Sequence, residues 1–81
     1  MIMQLIRWSY SRRGQVRAYF DRFPQSTLYF RRIRRYYFLF TIDWHEEDPI
    51  VTDEDKEQMH RLLNRELGRE KEYLKRRTRS S

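Results

Sequence analysis

The stretch YFRRIRRYYFLFTIDW, residues 29–44, sets two arginine pairs, Arg31-Arg32 and Arg34-Arg35, directly against a block of aromatics. From Tyr36 onward the even positions are Tyr36, Phe38, Phe40, Ile42 and Trp44, and the odd ones Tyr37, Leu39, Thr41 and Asp43. A period of two in aromatic and β-branched residues fits a half-buried strand. It predicts a strand over 36–43 whose even face is core. A helical reading also exists, through Phe30, Ile33, Tyr37, Phe40 and Trp44 at spacings of three and four. That reading needs aromatics packed all round. RRIRR is then a bend, a separate short strand over 28–33 or an irregular lead-in, with no Gly or Pro to mark a tight turn.

Toward the N-terminus, Ile6, Trp8 and Tyr10 alternate with Arg7 and Ser9, and Val16, Ala18 and Phe20 alternate with Arg17 and Tyr19. Gly14 suits a left-handed position closing a short turn through Arg12 and Arg13. The pattern predicts a β-hairpin of residues 2–10 and 15–21; a helix over 12–22 is its rival. Pro24, in FPQST, interrupts the alternation because proline cannot donate to a sheet ladder.

Toward the C-terminus, residues 53–75 read as one long helix. Thr52 is placed as N-cap, with Asp55 three residues on completing a capping box. Met59, Leu63 and Leu67 form an apolar stripe, widened by Leu62, and Gly68 weakens the middle. Such a helix is about 34 Å long, whereas the strand it would cover spans about 26 Å. Its basic end should overhang, leaving Tyr73 and Leu74 without a core to enter. The expected architecture is α+β: a small antiparallel sheet of three or four strands packed by one long C-terminal helix. One domain would span residues 1–75, followed by a basic tail, 76–81. The expected core is Trp8, Phe20, Phe38, Phe40, Ile42, Leu63 and Leu67.

With 81 residues there is room for one small core. The absence of cysteine excludes disulfides, thiolate zinc sites and cysteine nucleophiles. Small secreted domains generally need such staples, so an intracellular, cytoplasmic setting is expected. No run approaches the roughly 18 apolar residues of a membrane span. MIMQLI is too short for a signal-peptide core, and the strand-like alternation of the Arg-rich residues 1–20 argues against a transit peptide.

Two glycines cannot build a phosphate-cradling loop. His45 lies among Asp43, Glu46, Glu47 and Asp48, which lack the ligand spacing of a calcium loop and read as a solvated acidic segment. His60 reads as exposed. No enzymatic activity, cofactor or metal is expected.

Charge carries the functional signal. Residues 1–42 hold nine Arg and one Asp, residues 43–57 eight acids and one Lys, and residues 58–81 eight bases and three acids. These charges could neutralise one another inside the fold. Alternatively they present a basic surface beside an acidic one. The first 55 residues contain no lysine. Arginine pairs phosphate bidentately and stacks on bases, which favours nucleic acid, although genomic base composition gives the same bias. Arg7, Arg17, Tyr19, Arg35 and Tyr37 fall on the expected outer sheet face, with Arg31 nearby and Lys75, Arg76 and Arg77 at the helix end. The function expected is binding of nucleic acid, single-stranded RNA or DNA favoured, with arginines on phosphates and tyrosines stacked on bases. The alternative is a non-enzymatic protein-binding regulator or inhibitor, by analogy with small phage or plasmid proteins, docking on an acidic surface of a host protein. Leu67, Tyr73 and Leu74 are the expected surface for a homodimer.

Overall fold

Strand-forming alternation continues almost without a break to Asp43, and the chain folds it as an antiparallel meander. The computed structural model describes the backbone of residues 2–80 and the side chains of residues 2–75. Four strands, β1 (Leu5–Arg12), β2 (Gln15–Phe20), β3 (Phe23–Ile33) and β4 (Tyr36–Asp43), lie in the order β1-β2-β3-β4. Two helices follow, α1 (Asp53–Glu66) and α2 (Glu70–Ser80). Strand β4 lies where the alternation places it; the N-terminal hairpin forms as expected, but its first strand runs Leu5–Arg12 rather than over 2–10. Gly14, at φ +69°, closes the first turn.

Strand β3 is longer than the sequence indicates, because Pro24 does not end it. Between the pairs Ala18–Leu28 and Phe20–Phe23, residues 24–27 lie opposite Tyr19 alone. Proline is tolerated in such an irregularity, where no ladder bond is lost. Asp48 holds the irregular segment in place. Its Oδ2 accepts from the Gln25 backbone N–H at 3.0 Å and from the Ser26 hydroxyl at 2.6 Å, and Ser26 Oγ accepts from the His45 N–H at 2.9 Å. Asp48 is therefore a buried member of the acidic segment, not a solvated one. The β3–β4 turn needs no glycine either: Arg34 itself adopts φ +59° between the paired Ile33 and Tyr36.

The core lies between one sheet face and α1: Met3, Val16, Ala18, Phe20, Phe23, Leu28, Phe30, Tyr37, Met59 and Leu63. Trp8, Ile42 and Leu67 pack against it partly buried. Phe38 and Phe40 are not in it, and this corrects the alternation; Phe38, half-buried, stacks on His60 instead. In the β3–β4 ladder Tyr29 faces Thr41 while Phe30 faces Leu39, so Phe40 is an extra residue. Such a bulge reverses the in–out parity of the strand. Tyr37 and Leu39 point inward before it, Ile42 after it, and Phe40 stays 43% exposed on the outer face. Ile6, expected inside, sits at a similar register shift in β1 and is also exposed.

Thr52 and Asp55 form the capping box that starts α1, with Asp55 Oδ2 accepting the Thr52 N–H and Thr52 Oγ1 accepting the Asp55 N–H. The single long helix is replaced by two. Gly68 adopts φ +74°, the Gly68 N–H donates to the Arg65 carbonyl and the Arg69 N–H to that of Asn64. These two bonds around a left-handed glycine make a Schellman stop. The chain turns there, and α2 packs back onto β4. Tyr73, expected to overhang, is buried against Tyr36 and His60, and its hydroxyl donates to Glu57 Oε1 at 2.7 Å.

Helix α1 also closes the sheet edge at β4. Beside the Met59/Leu63 stripe, one residue further round, run His60 and Asn64. Asn64 Oδ1 accepts the Tyr37 N–H at 2.7 Å, and its Nδ2 donates to the Tyr37 carbonyl at 2.9 Å and to the His60 carbonyl at 2.7 Å. His60 Nε2 accepts the Leu39 N–H at 2.9 Å. His60 is buried, not exposed, its ring stacked between Phe38 and Tyr73.

Two stability measurements check this description. Gly68→Ala should destabilise the protein by about 1–2 kcal/mol, because alanine is strained at a left-handed φ. Within a continuous helix the same change would stabilise by about 1 kcal/mol, so the sign of the shift in the denaturation midpoint decides. Phe30→Ala should cost about 3–5 kcal/mol, and Phe40→Ala about 1 kcal/mol or less, mainly the contact with Arg31. Comparable losses at both positions would place Phe40 back in the core.

Candidate nucleic-acid interface

The helices cover the inner face of the sheet, and the outer face is built from the residues opposite the core positions. Arg17 pairs with Tyr29 and Tyr29 with Thr41, forming one cross-strand row that begins at Ser9. Arg31, paired with Gln15 and Phe38, lies in the neighbouring row toward the hairpin tips. Arg7 faces Tyr19 on the adjoining strand, its guanidinium 4.4 Å from the ring centroid. Arg31 lies 4.6 Å over the Phe40 ring, and Phe40 packs against Tyr29 at 6.5 Å between centroids. Four of the residues expected to bind nucleic acid, Arg7, Arg17, Tyr19 and Arg31, are thus brought together on one open face. Tyr29 and Phe40 join them. Tyr29 was legible had residues 23–33 been read as one strand; Phe40 was hidden by the bulge.

The other expected residues are placed differently. Tyr37 is 5% exposed and points to the core side, so it cannot stack on a base at the outer face. Burial, then a hydrogen bond with Tyr10, pushes its phenol above the ordinary tyrosine value, while Arg32 and Arg69 pull it down. Arg35 lies at the β3–β4 tip, not on the face. Lys75 is exposed on α2. The side chains of Arg76 and Arg77 lie outside the described residues.

The meander puts the β1–β2 and β3–β4 turns at the same end of the sheet. The Arg32 N–H donates to the Gly14 carbonyl at 2.7 Å, which locks the two tips side by side. Arg12, Arg13, Arg32, Arg34 and Arg35 are gathered there, all exposed. Asp21, in the β2–β3 turn, and the acids Asp43 to Asp48 lie at the opposite end, where Asp48 bonds Gln25 and Ser26. Among the described residues, no ion pair involves Arg7, Arg17, Arg31 or the tip arginines. Among the described residues the N-terminal basic segment meets the acidic one through a single ion pair, Arg22 at 3.6 Å from Asp55; Lys56–Asp53 lies within the acidic segment and Arg65–Glu70 within the C-terminal one. Charge is segregated rather than neutralised.

The remaining surface offers little chemistry. A groove of about 430 Å³ runs beside residues 38–42 with Lys56 and His60 on its wall. Its lining is mostly apolar, and His60 already accepts a backbone hydrogen bond there. Among the described residues no group of three or more His, Asp or Glu is placed to hold a metal ion. Nor is any helix among them long and apolar enough to cross a membrane.

No curated protein and no solved structure matches the chain. The family model described as Uncharacterised protein YuzH matches residues 4–78, and the chain belongs to that family.

Proposed function

We propose that the protein is a small, non-enzymatic, intracellular nucleic-acid-binding protein that takes a single strand across the outer face of its sheet. One observation carries this reading. Arg7, Arg17 and Arg31 share an uncovered face with Tyr19, Tyr29 and Phe40, and have no acid partner among the described residues. Unpaired arginines are available to neutralise phosphates and release counterions. Exposed rings stack on bases of any sequence. The rings are already held beside guanidinium groups, so little side-chain freedom is lost when a strand settles on them. The tip arginines extend the basic surface along the strand's path, and Lys75 with Arg76 and Arg77 adds a further source of phosphate contacts. A duplex fits less well, because its bases are stacked away from such a face.

A protein-binding regulator is the second reading, favoured by the acidic segment, where Trp44 is exposed and Ile50 is 77% exposed. Apolar side chains rimmed by charge resemble the centre of a protein interface.

Fluorescence anisotropy with short DNA and RNA oligonucleotides over a series of salt concentrations tests the proposal. Arg17→Ala with Arg31→Ala should weaken binding to every sequence and flatten the salt dependence by about 0.7 log units of slope per lost phosphate contact. Tyr29→Ala should cost about 1–3 kcal/mol of binding and leave the slope nearly unchanged. Wild-type protein that binds no oligonucleotide at low salt sinks the proposal in favour of the protein-binding reading. Binding indifferent to all three changes moves the site to the hairpin tips or the helix end.

A further inference from the structure

The two edges of the sheet are treated differently. Along β4, side chains of α1 occupy the Tyr37 and Leu39 backbone groups that face away from β3. Along β1, among the described residues, no side chain hydrogen-bonds a backbone group from Leu5 to Arg12. Alternate N–H and C=O groups of an edge strand point away from its neighbour, which makes an unpaired edge a template for another strand. Strand β1 also carries Ile6 and Tyr10, exposed at 55% and 58%, and no proline; its register shifts, at Ile6 and Ser11, flank the regular stretch Arg7 to Tyr10 and leave it open for pairing.

We propose that β1 pairs antiparallel with β1 of a second copy of this chain, about a two-fold axis at Ser9, joining two sheets into one of eight strands. Complementarity selects the second copy as occupant. Residues directly opposite in an antiparallel pair must share a face. With Ser9 opposite Ser9, Trp8 falls opposite Tyr10 of the other copy on the inner face, and it does so twice. These rings already meet edge-to-face at 5.4 Å within one chain, so each pair extends an existing aromatic contact across the axis. On the outer face Arg7 falls opposite Ser11, and Arg12 falls opposite Ile6. No arginine opposes an arginine. Centring the axis on Arg7 would set Arg7 against Arg7, and centring it on Tyr10 would set Arg7 against Arg13; both are penalised by like charge.

Such a dimer brings the outer faces of both copies into one surface, with the Arg7–Tyr19 pairs flanking the axis. Pairing does not depend on nucleic acid, so it is tested on nuclease-treated protein without oligonucleotide. Its failure would leave the nucleic-acid reading where the anisotropy experiment puts it.

The chain has no cysteine, so Ser9→Cys introduces one unique thiol. Opposed residues at a two-fold axis have Cα atoms about 4.5–5.5 Å apart, within disulfide reach. Oxidation of Ser9→Cys should give a covalent dimer as the main product, while Thr41→Cys, exposed on β4 of the same face, should stay monomeric. In sedimentation velocity across a dilution series the wild type should self-associate, and Ser9→Lys should weaken that by about two- to fivefold through like charges at the axis, with an unchanged thermal melt. A wild type monomeric at every concentration overturns the proposal. So does a dimer in which Ser9→Cys cross-links no faster than Thr41→Cys.

Discussion

Asn64 holds the backbone of Tyr37 by both its N–H and its C=O, and the rest of the structure depends on that clamp. A helix laid beside a sheet edge ordinarily leaves the edge groups facing apolar side chains. Buried without a partner, each such group costs about 1–3 kcal/mol. Here one amide side chain satisfies the N–H and the carbonyl of Tyr37, and also bonds the His60 carbonyl one turn back in its own helix. His60 takes the next outward N–H, that of Leu39. Two residues four apart on α1 match two residues two apart on β4, so the bonds fix the rotation of the helix and its position along the strand. That setting turns Met59 and Leu63 into the core. It also places the Schellman stop at Gly68, where α2 can return to bury Tyr73 on His60 and Tyr36.

With both helices committed to the inner face and the β4 edge, the outer face stays uncovered. The bulge at Phe40 then sets its chemistry. Without it, Phe40 would point inward and Arg31 would lose the ring beneath its guanidinium. With it, four strands present arginine and aromatic side chains in contact with one another. The meander gathers the tip arginines at one end and leaves Asp21 and the acids Asp43 to Asp48 at the other. The topology thus separates charges that the sequence holds only in consecutive segments.

Much of this was legible in the residues. The boundaries of β4, the Gly14 turn and the Thr52–Asp55 capping box each have a local signature, and each lies where that signature puts it. The rest depends on contacts remote in sequence. A bulge has no residue code, so strict alternation gave Tyr37 the outer face and Phe40 the inner one. Pro24 suggested a break because the irregularity that tolerates it is held by Asp48, 24 residues away. Gly68 was visible as a weak point in a helix, but the turn it makes follows from how α2 packs. His60 looked solvent-facing because helical periodicity marks only apolar stripes, and here a polar stripe of His60 and Asn64 is buried by a strand edge. Of the candidate site, Arg7, Arg17 and Tyr19 were recoverable because short-range alternation alone puts them outward, whereas Arg31 was expected only near that face, its segment being readable as a bend, a strand or a lead-in.

Native-state hydrogen exchange at the Tyr37 and Leu39 amides tests the edge closure most directly. Both lie on the side of β4 away from β3, where amides of an open edge exchange freely. Closure by Asn64 and His60 predicts that both are protected close to the level of the central β3 amides, and that Asn64→Ala abolishes protection at Tyr37 while the β2–β3 ladder stays protected. Rapid exchange at Tyr37 and Leu39 in the folded wild-type protein would contradict the account.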